Sequence, residues 1–255
     1  MKLVIAGICI CALSFSTLAG IGHGIADSTN RWSVGVIVVP GLAYRTLSIT
    51  QHSETTERIV AQRNDLEDAR VNLTGNLALG YRLSSLFSLE AGVGYALLGW
   101  RENMDLSGLT FGDIIDPRRG FIYQTDAAVP TSIRIVDSFH YIEVPIRASL
   151  HLGHGRVRSV TSIEVSTAFL IRSTSTSYSE YADGHSERRV ADQTDAFNKL
   201  ALFPTISSGV SFNLGDRLEM RVEPSFRYGV LRIIDAPITA NLWSGGLGIG
   251  IRMKL

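Results

Sequence analysis

Along residues 217–230, RLEMRVEPSFRYGV, polar and apolar side chains alternate. Arg217, Glu219, Arg221, Glu223 and Arg227 take odd positions, and Leu218, Met220, Val222, Phe226 and Tyr228 take even ones. A period of two belongs to a β-strand, whose successive side chains point to opposite faces. The same period recurs in eight segments, at about 31–45, 70–83, 86–100, 137–152, 157–172, 199–214, 217–231 and 240–255. Their links alternate in length. Ser84–Ser85, the GHGR turn at 153–156 and Gly215–Asp216 are hairpin turns, while 46–69, 101–136 and 173–198 are long and polar, with a shorter link at 232–239. Short turns at one end and long loops at the other predict an all-β, eight-stranded antiparallel up-and-down barrel. Within the first long link, 51–69 reads as a solvated charged loop, with a turn or two of helix as the alternative.

The composition of the two faces decides which one is wet. In the fourth segment Ile142, Val144, Ile146, Ala148, Leu150 and Leu152 oppose Tyr141, Glu143, Pro145, Arg147, Ser149 and His151. In the eighth, Trp243, Leu247, Ile249, Ile251 and Met253 oppose Ser244, Gly246, Gly248, Gly250, Arg252 and Lys254. A soluble barrel would place this second face in water, where glycine weakens a strand and offers nothing to solvent. A transmembrane barrel reverses the assignment: the apolar face meets lipid, and small and charged residues fill a narrow lumen, glycines making room for long neighbours. On that polar parity Glu90, Glu143, Glu164, Glu219 and Glu223 stand against Arg45, Arg82, Arg147, Arg172, Arg221, Arg227 and Arg252, with Lys254 near the rim. A near balance of charge is what a closed lumen requires, since an unpaired buried charge is costly. The expected lumen network is therefore Glu90, Glu143, Arg147, Glu164, Glu219, Arg221, Glu223, Arg227 and Arg252. Pro40, Pro145, Pro204 and Pro224 fall inside strands, where each removes a ladder donor, so bulges are expected there.

The N-terminus adds export. Lys2 precedes an uncharged run with small residues at Ala19 and Ala26, which reads as a signal peptide over 1–26 cleaved after one of them, leaving a barrel domain over 27–255. Cys9 and Cys11 both lie inside that run, each after Ile, so no lipoprotein signal is read and the processed chain would lack thiol chemistry. Composition is that of a folded chain, 45% hydrophobic and 19% charged. A formal charge of zero gives no electrostatic footprint for nucleic acid.

The run HYIEVPIRASL at 140–150 resembles the aromatic-aliphatic-Glu-aliphatic-Pro strand of the PorT-like outer-membrane β-barrel family of Bacteroidota, and GLGIGIRMKL at 246–255 is similar to its closing strand. The resemblance implies an eight-stranded barrel in the outer membrane of a Gram-negative bacterium, in contact with outer-membrane lipid and inserted by the barrel-assembly machinery. It implies no single activity, although PorT itself is associated with secretion. The terminal Leu255 departs from the Phe or Trp with which many such barrels end.

Chemistry is thinly signalled. His140 with Ser138 and Asp137, and His185 with Asp183 and Ser186, are the sets from which a lipid-modifying enzyme could be built at the outer rim; solvated or hydrogen-bonded histidines are the plainer reading. His151 and His154 flank a turn without metal-ligand spacing, and no cofactor is expected. The lumen charges read as a plug of salt bridges, with an ion or proton path as the alternative. In the second long loop, LTFGDIIDPRRGFIY supplies a candidate binding set, Asp113, Asp116, Arg118, Arg119 and Tyr123, for an extracellular ligand or a neighbouring envelope protein. A hairpin extending the barrel is the alternative for that loop.

Overall fold

A computed structural model describes residues 31–107, 114–115, 122–123, 130–153 and 155–255. In chain order the elements are β1 (Trp32–Ile49), α1 (Glu54–Leu66), β2 (Glu67–Arg82), β3 (Phe87–Asp105), β4 (Ile114–Ile115), β5 (Ile122–Tyr123), β6 (Pro130–Leu152), β7 (Val157–Tyr181), β8 (Ser186–Asp192), β9 (Leu200–Asn213), β10 (Leu218–Tyr228) and β11 (Ile238–Lys254). Eight of these form an antiparallel ring in the order β1-β2-β3-β6-β7-β9-β10-β11, closed by β11 against β1 from Ser33↔Lys254 to Ile49↔Ile238. The period-two segments all become ring strands. The proposed signal segment and His154 lie outside the described residues.

Alternation sends one set of side chains out and the other in. Val36, Leu77, Val93, Ile146, Ile163, Ile206 and Ile251 are exposed on the outer surface, while Asn76, Glu143, Glu164, Ser207, Arg221 and Arg252 are buried inside. No water could be the counterpart of so continuous an apolar exterior, which fits hydrocarbon. On β3 the outward apolar face runs from Phe87 to Leu97, about 33 Å of strand at ~3.3 Å per residue, and a tilt of roughly 40° lowers this to about 25 Å, the height of a barrel's apolar band. Aromatic pairs stand near its two edges: Trp32 against Tyr81 at 4.8 Å, and Phe226 against Trp243 at 6.0 Å. The short turns mark the periplasmic end and the long connections the outer end.

Three expectations are corrected. The stretch 51–69 is not a loop but carries α1, thirteen residues long. Ser53 accepts from the Thr56 amide while the Thr56 hydroxyl accepts from the Ser53 amide, Glu54 and Glu57 sit at the positive end of the helix dipole, and Arg58 bonds Glu54 one turn back. None of its residues is buried, so the helix rests on its capping and charges and not on an apolar stripe, which is why hydrophobic periodicity misses it.

The bulges expected at the four in-strand prolines are absent. The β1–β11 ladder stops at Val38↔Ile249 and resumes in the same register at Gly41↔Gly246, while Pro40 keeps its partner Leu73 on β2. Pro145 and Pro224 behave likewise, each with a gap on one side and an intact pairing on the other, and Pro204 pairs with Val165 where the β9–β10 ladder has already ended. An antiparallel residue directs both its backbone groups to one neighbour, so a proline opens one seam without shifting register. Glycine lets the chains close over such a seam: a Cβ at Gly209, beside the Pro224 gap, would collide with the Val222 carbonyl, and one at Gly246 with that of Pro40. Room for neighbouring backbone is thus a second use of these glycines, beside the space that Gly80 leaves for the Ser33 side chain.

The register shifts that do occur lie between Ala69 and Leu73, at Pro130, and at His140/Tyr141. The last leaves Ile171 unmatched on β7, since His140 pairs with Arg172 and Tyr141 with Leu170. That extra residue turns Arg172, assigned by parity to the lumen, out to solvent, where it faces Asp192 at 3.9 Å. Above this point β3, β6 and β7 continue beyond the lipid belt, and β8 joins them through Thr174↔Asp192 to Glu180↔Ser186. The result is a flange rising from one side of the barrel.

An outward face this apolar predicts that the protein extracts from the outer-membrane fraction only with detergent. The closed ring predicts different gel mobility for unheated and boiled samples. A protein that stays in solution without detergent contradicts the membrane assignment.

Candidate functional site

The lumen is filled in storeys. Nearest the periplasm, Arg221 on β10 bonds Glu219 Oε1 at 2.8 Å and Glu90 Oε1 at 3.0 Å, and Arg252 on β11 reaches the same Glu90. Above them Arg147 on β6 bonds Glu164 Oε2 on β7 at 2.8 Å and Glu223 Oε2 on β10 at 3.4 Å, with the Ser166 hydroxyl donating to Glu164 and that of Ser207 to Glu223. The third storey is the forked pair of Arg227 with Glu143, in which both carboxylate oxygens accept. The lumen residues expected from the pattern are all placed on these three storeys. Arginine suits the task because its planar fork reaches two strands at once and stays charged when buried.

A fourth storey is apolar and was not anticipated. Tyr141 meets Phe203 at 5.9 Å, Phe139 meets Trp100 at 5.1 Å and Phe197 at 4.8 Å, with Leu98 and Leu242 between them. Apart from Phe197, which packs on the layer from the connection before β9, these side chains are almost wholly buried at lumen-facing positions. Guanidiniums bracket the layer: Arg227 lies 4.2 Å below the Phe203 ring centre and Arg45 3.9 Å from that of Trp100. Arg45 in turn forms a fork-to-fork pair with Glu67 at the foot of β2, and the Tyr44 hydroxyl donates to the Glu67 carbonyl at 3.3 Å. Glu67 was missed because it sits beyond the bulge at 69–73 in what reads as loop. The aromatic layer had one visible signal, Trp100 and Tyr141 on the polar parity of two adjacent strands.

The histidine sets are not assembled as catalytic groups. His140 faces outward and its Nδ1 shares a hydrogen bond with the Tyr95 hydroxyl, not with Ser138 or Asp137. Arg70 bonds the Ser138 hydroxyl and, at 3.1 Å, the Asp137 carbonyl, closing over them. His185 sits in the β7–β8 turn, its amide donating to Asp183 Oδ1 at 2.8 Å and its ring lying 5.6 Å from that of Tyr181. About 30 Å of strand at ~3.3 Å per residue separates the two sets, from Arg172 to Tyr181. His151 is buried against the Ser88 hydroxyl at 3.0 Å. Among the described residues no group of His, Cys, Asp and Glu could hold a metal ion.

On the flange, Arg189 donates two bonds to Glu187 and holds its carboxyl below the usual range, while the Thr194 hydroxyl and amide do the same for Asp192. Of the candidate loop set, Asp113, Asp116, Arg118 and Arg119 lie outside the described residues. The backbone of Tyr123 pairs with Ile114 in the small β4–β5 hairpin.

A closed antiparallel ring, apolar outside and packed with ion pairs and aromatics inside, defines an integral outer-membrane β-barrel. The sequence matches the family model described as outer membrane protein beta-barrel domain over residues 27–234, and the chain belongs to that family. No curated protein matches it. Among solved structures it is similar to Neisserial surface protein A (13% identity, 88% of this chain and 97% of that one, TM-score 0.41). Others are the N-terminal β-barrel domain of Pseudomonas aeruginosa OprF (12%, 86% and 96%, 0.36) and the outer membrane protease OmpT from Escherichia coli (7%, 91% and 99%, 0.43). The protein resides in the outer membrane, in contact with its lipid.

The Glu143–Arg227 pair gives a quantitative expectation. Removing one partner leaves the other buried and uncompensated, so Arg227→Ala or Glu143→Ala alone should cost roughly 3–5 kcal/mol in urea unfolding from detergent micelles. The double replacement should recover much of that loss. Additive single losses would contradict a coupled pair.

Proposed function

We propose that this barrel works as a binding protein, engaging an extracellular ligand or a neighbouring envelope protein through the segments 101–136 and 173–198, and that its lumen is a structural plug. The observation that carries the reading is the stack of three ionic storeys under an aromatic layer, which leaves side chains where a channel would need water. The candidate contacts in the second loop are Asp113, Asp116, Arg118, Arg119 and Tyr123, and the β7–β8 hairpin adds exposed Arg188 beside Tyr178. In this reading the protein is not an enzyme, a view supported by the orientation of His140 toward Tyr95 and by the distance of His185 from it. The same proposal has residues 1–26 removed on export, insertion by the barrel-assembly machinery, and a place within the PorT-like branch on the strength of HYIEVPIRASL.

Planar bilayers separate the plug from a pore: the purified protein should give no stepwise conductance, and regular steps would defeat the plug. For catalysis, His140→Ala and His185→Ala should leave the lipid profile by mass spectrometry as it is in wild type and in a deletion strain. Envelope components that copurify with the wild-type protein in mild detergent, identified by mass spectrometry, should be lost when 108–129 is replaced by a short Gly-Ser turn, while the gel shift is kept. Association that survives this and truncation of the β7–β8 hairpin rules out the outer loops.

A further inference from the structure

The formal charge of zero conceals a strongly polarised molecule. At the end carrying the short turns, Arg31, Arg82, Arg156, Arg158, Arg217 and Lys254 face only one carboxylate side chain among the described residues there, that of Asp216. The next carboxylates inward, Glu90 and Glu219, are already bonded to Arg221 and Arg252. Three of these cations are distinctive. Arg82, Arg158 and Lys254 continue the lumen-facing parity of β2, β7 and β11, are half-buried, and have no ion-pair partner among the described residues. Lys254 pairs with Ser33 on β1, and Ser33 pairs with Gly80, two residues from Arg82 on β2, so closure brings Arg82 and Lys254 to the strands flanking β1, and both feel the charge of Arg158 across the mouth. On β7, β9 and β10 the register aligns Arg158, Ser211 and Arg221 in one row across the inner wall. The buried Ser211 lies in that row, while the Ser33 and Ser88 hydroxyls are engaged by the Gly80 carbonyl and by His151.

Like charges converging in a half-buried mouth repel, and the carboxylates that act on them, Glu219 on Arg82 and Lys254 and Asp216 on Lys254, are outnumbered. A small multivalent anion would offset the excess. The cavity just inside, between Ser33, Gly80, Glu90, Arg221 and Arg252, measures 40 Å³, room for a few waters and no more. An occupant must therefore sit at the mouth. Tetrahedral oxygens suit three cations arriving from different directions. We infer that the periplasmic mouth of the lumen is an anion site in which Arg82, Arg158 and Lys254 hold one phosphate group presented from the periplasm. The phosphate comes either from the free ion or from the headgroup of an anionic phospholipid in the surrounding inner leaflet.

The test uses the full chain in uncharged detergent, with the unfolding midpoint read by loss of the unheated gel mobility. At constant ionic strength, exchanging chloride for inorganic phosphate should raise the midpoint, as binding to the folded state alone requires. In R82Q/R158Q/K254Q the same rise should need at least about tenfold more phosphate. Without phosphate that variant should be at least as stable as wild type, because repulsion has been relieved, whereas cations with a packing role would leave it less stable. Arg189→Gln, on the outer hairpin, should respond as wild type does. A parallel arm compares vesicles of phosphatidylglycerol with phosphatidylcholine. A response to inorganic phosphate assigns the free ion, and one to phosphatidylglycerol alone assigns the headgroup. The site is overturned if neither arm protects wild type more than the triple variant, or if the triple variant is destabilised without phosphate.

Discussion

Closure of β11 on β1 is the constraint from which the other features follow. Once Ser33 pairs with Lys254 and the ladder runs on to Ile49 and Ile238, the ring has no edge within the lipid belt, and the backbone can cross hydrocarbon with its polar groups satisfied. Closure also removes choice from the side chains. With a period of two, every residue belongs to the lipid or to the lumen, and a slip of one position would carry buried arginines into the bilayer. The four in-strand prolines are tolerated because each opens one seam and leaves register untouched.

Inside the ring the problem is reversed: long polar side chains must be housed in a space too narrow for their hydration shells. The answer is mutual solvation. Arg221 serves Glu219 and Glu90, Arg147 serves Glu164 and Glu223, and Ser166 and Ser207 fill remaining acceptor positions. Toward the outside the solution changes to aromatic packing, with Arg227 and Arg45 stacked on its lower and upper rings. Pairing of this kind is weak evidence for stability taken alone, since two charges must first be desolvated. Its worth here lies in fixing which strand faces which: each guanidinium reaches carboxylates on other strands, so the barrel's order is written a second time in its contents.

The ring was legible because alternation is dictated by sheet geometry and by the two media, and both leave their mark residue by residue. Leu218 to Tyr228 and Ile142 to Leu152 read correctly for that reason. The inner network was readable as parity, from Glu90 to Arg252, but pairing was not, because it depends on how residues separated by up to 162 positions, Glu90 and Arg252, meet across the lumen. What failed to show had local or non-periodic causes. Helix α1 depends on Ser53 and Thr56 capping a polar segment. Arg172 is turned outward by the unmatched Ile171, a single-residue insertion with no compositional signature. Phe139, Phe203 and Leu98 look in isolation like misplaced lipid-facing residues, and only their convergence makes them a layer.

The wall of the barrel is of uneven height. β6 and β7 run for 23 and 25 residues, while β10 ends after 11. Seen from above, the protein therefore has a front and a back: a tall parapet of β3, β6, β7 and β8 on one side, and a low sill formed by β9 and β10, of 14 and 11 residues, on the other. A neighbour diffusing in the membrane plane meets a different surface at each bearing, so rotation about the barrel axis becomes a variable in recognition. The azimuth of approach, as much as contact chemistry, selects what can dock.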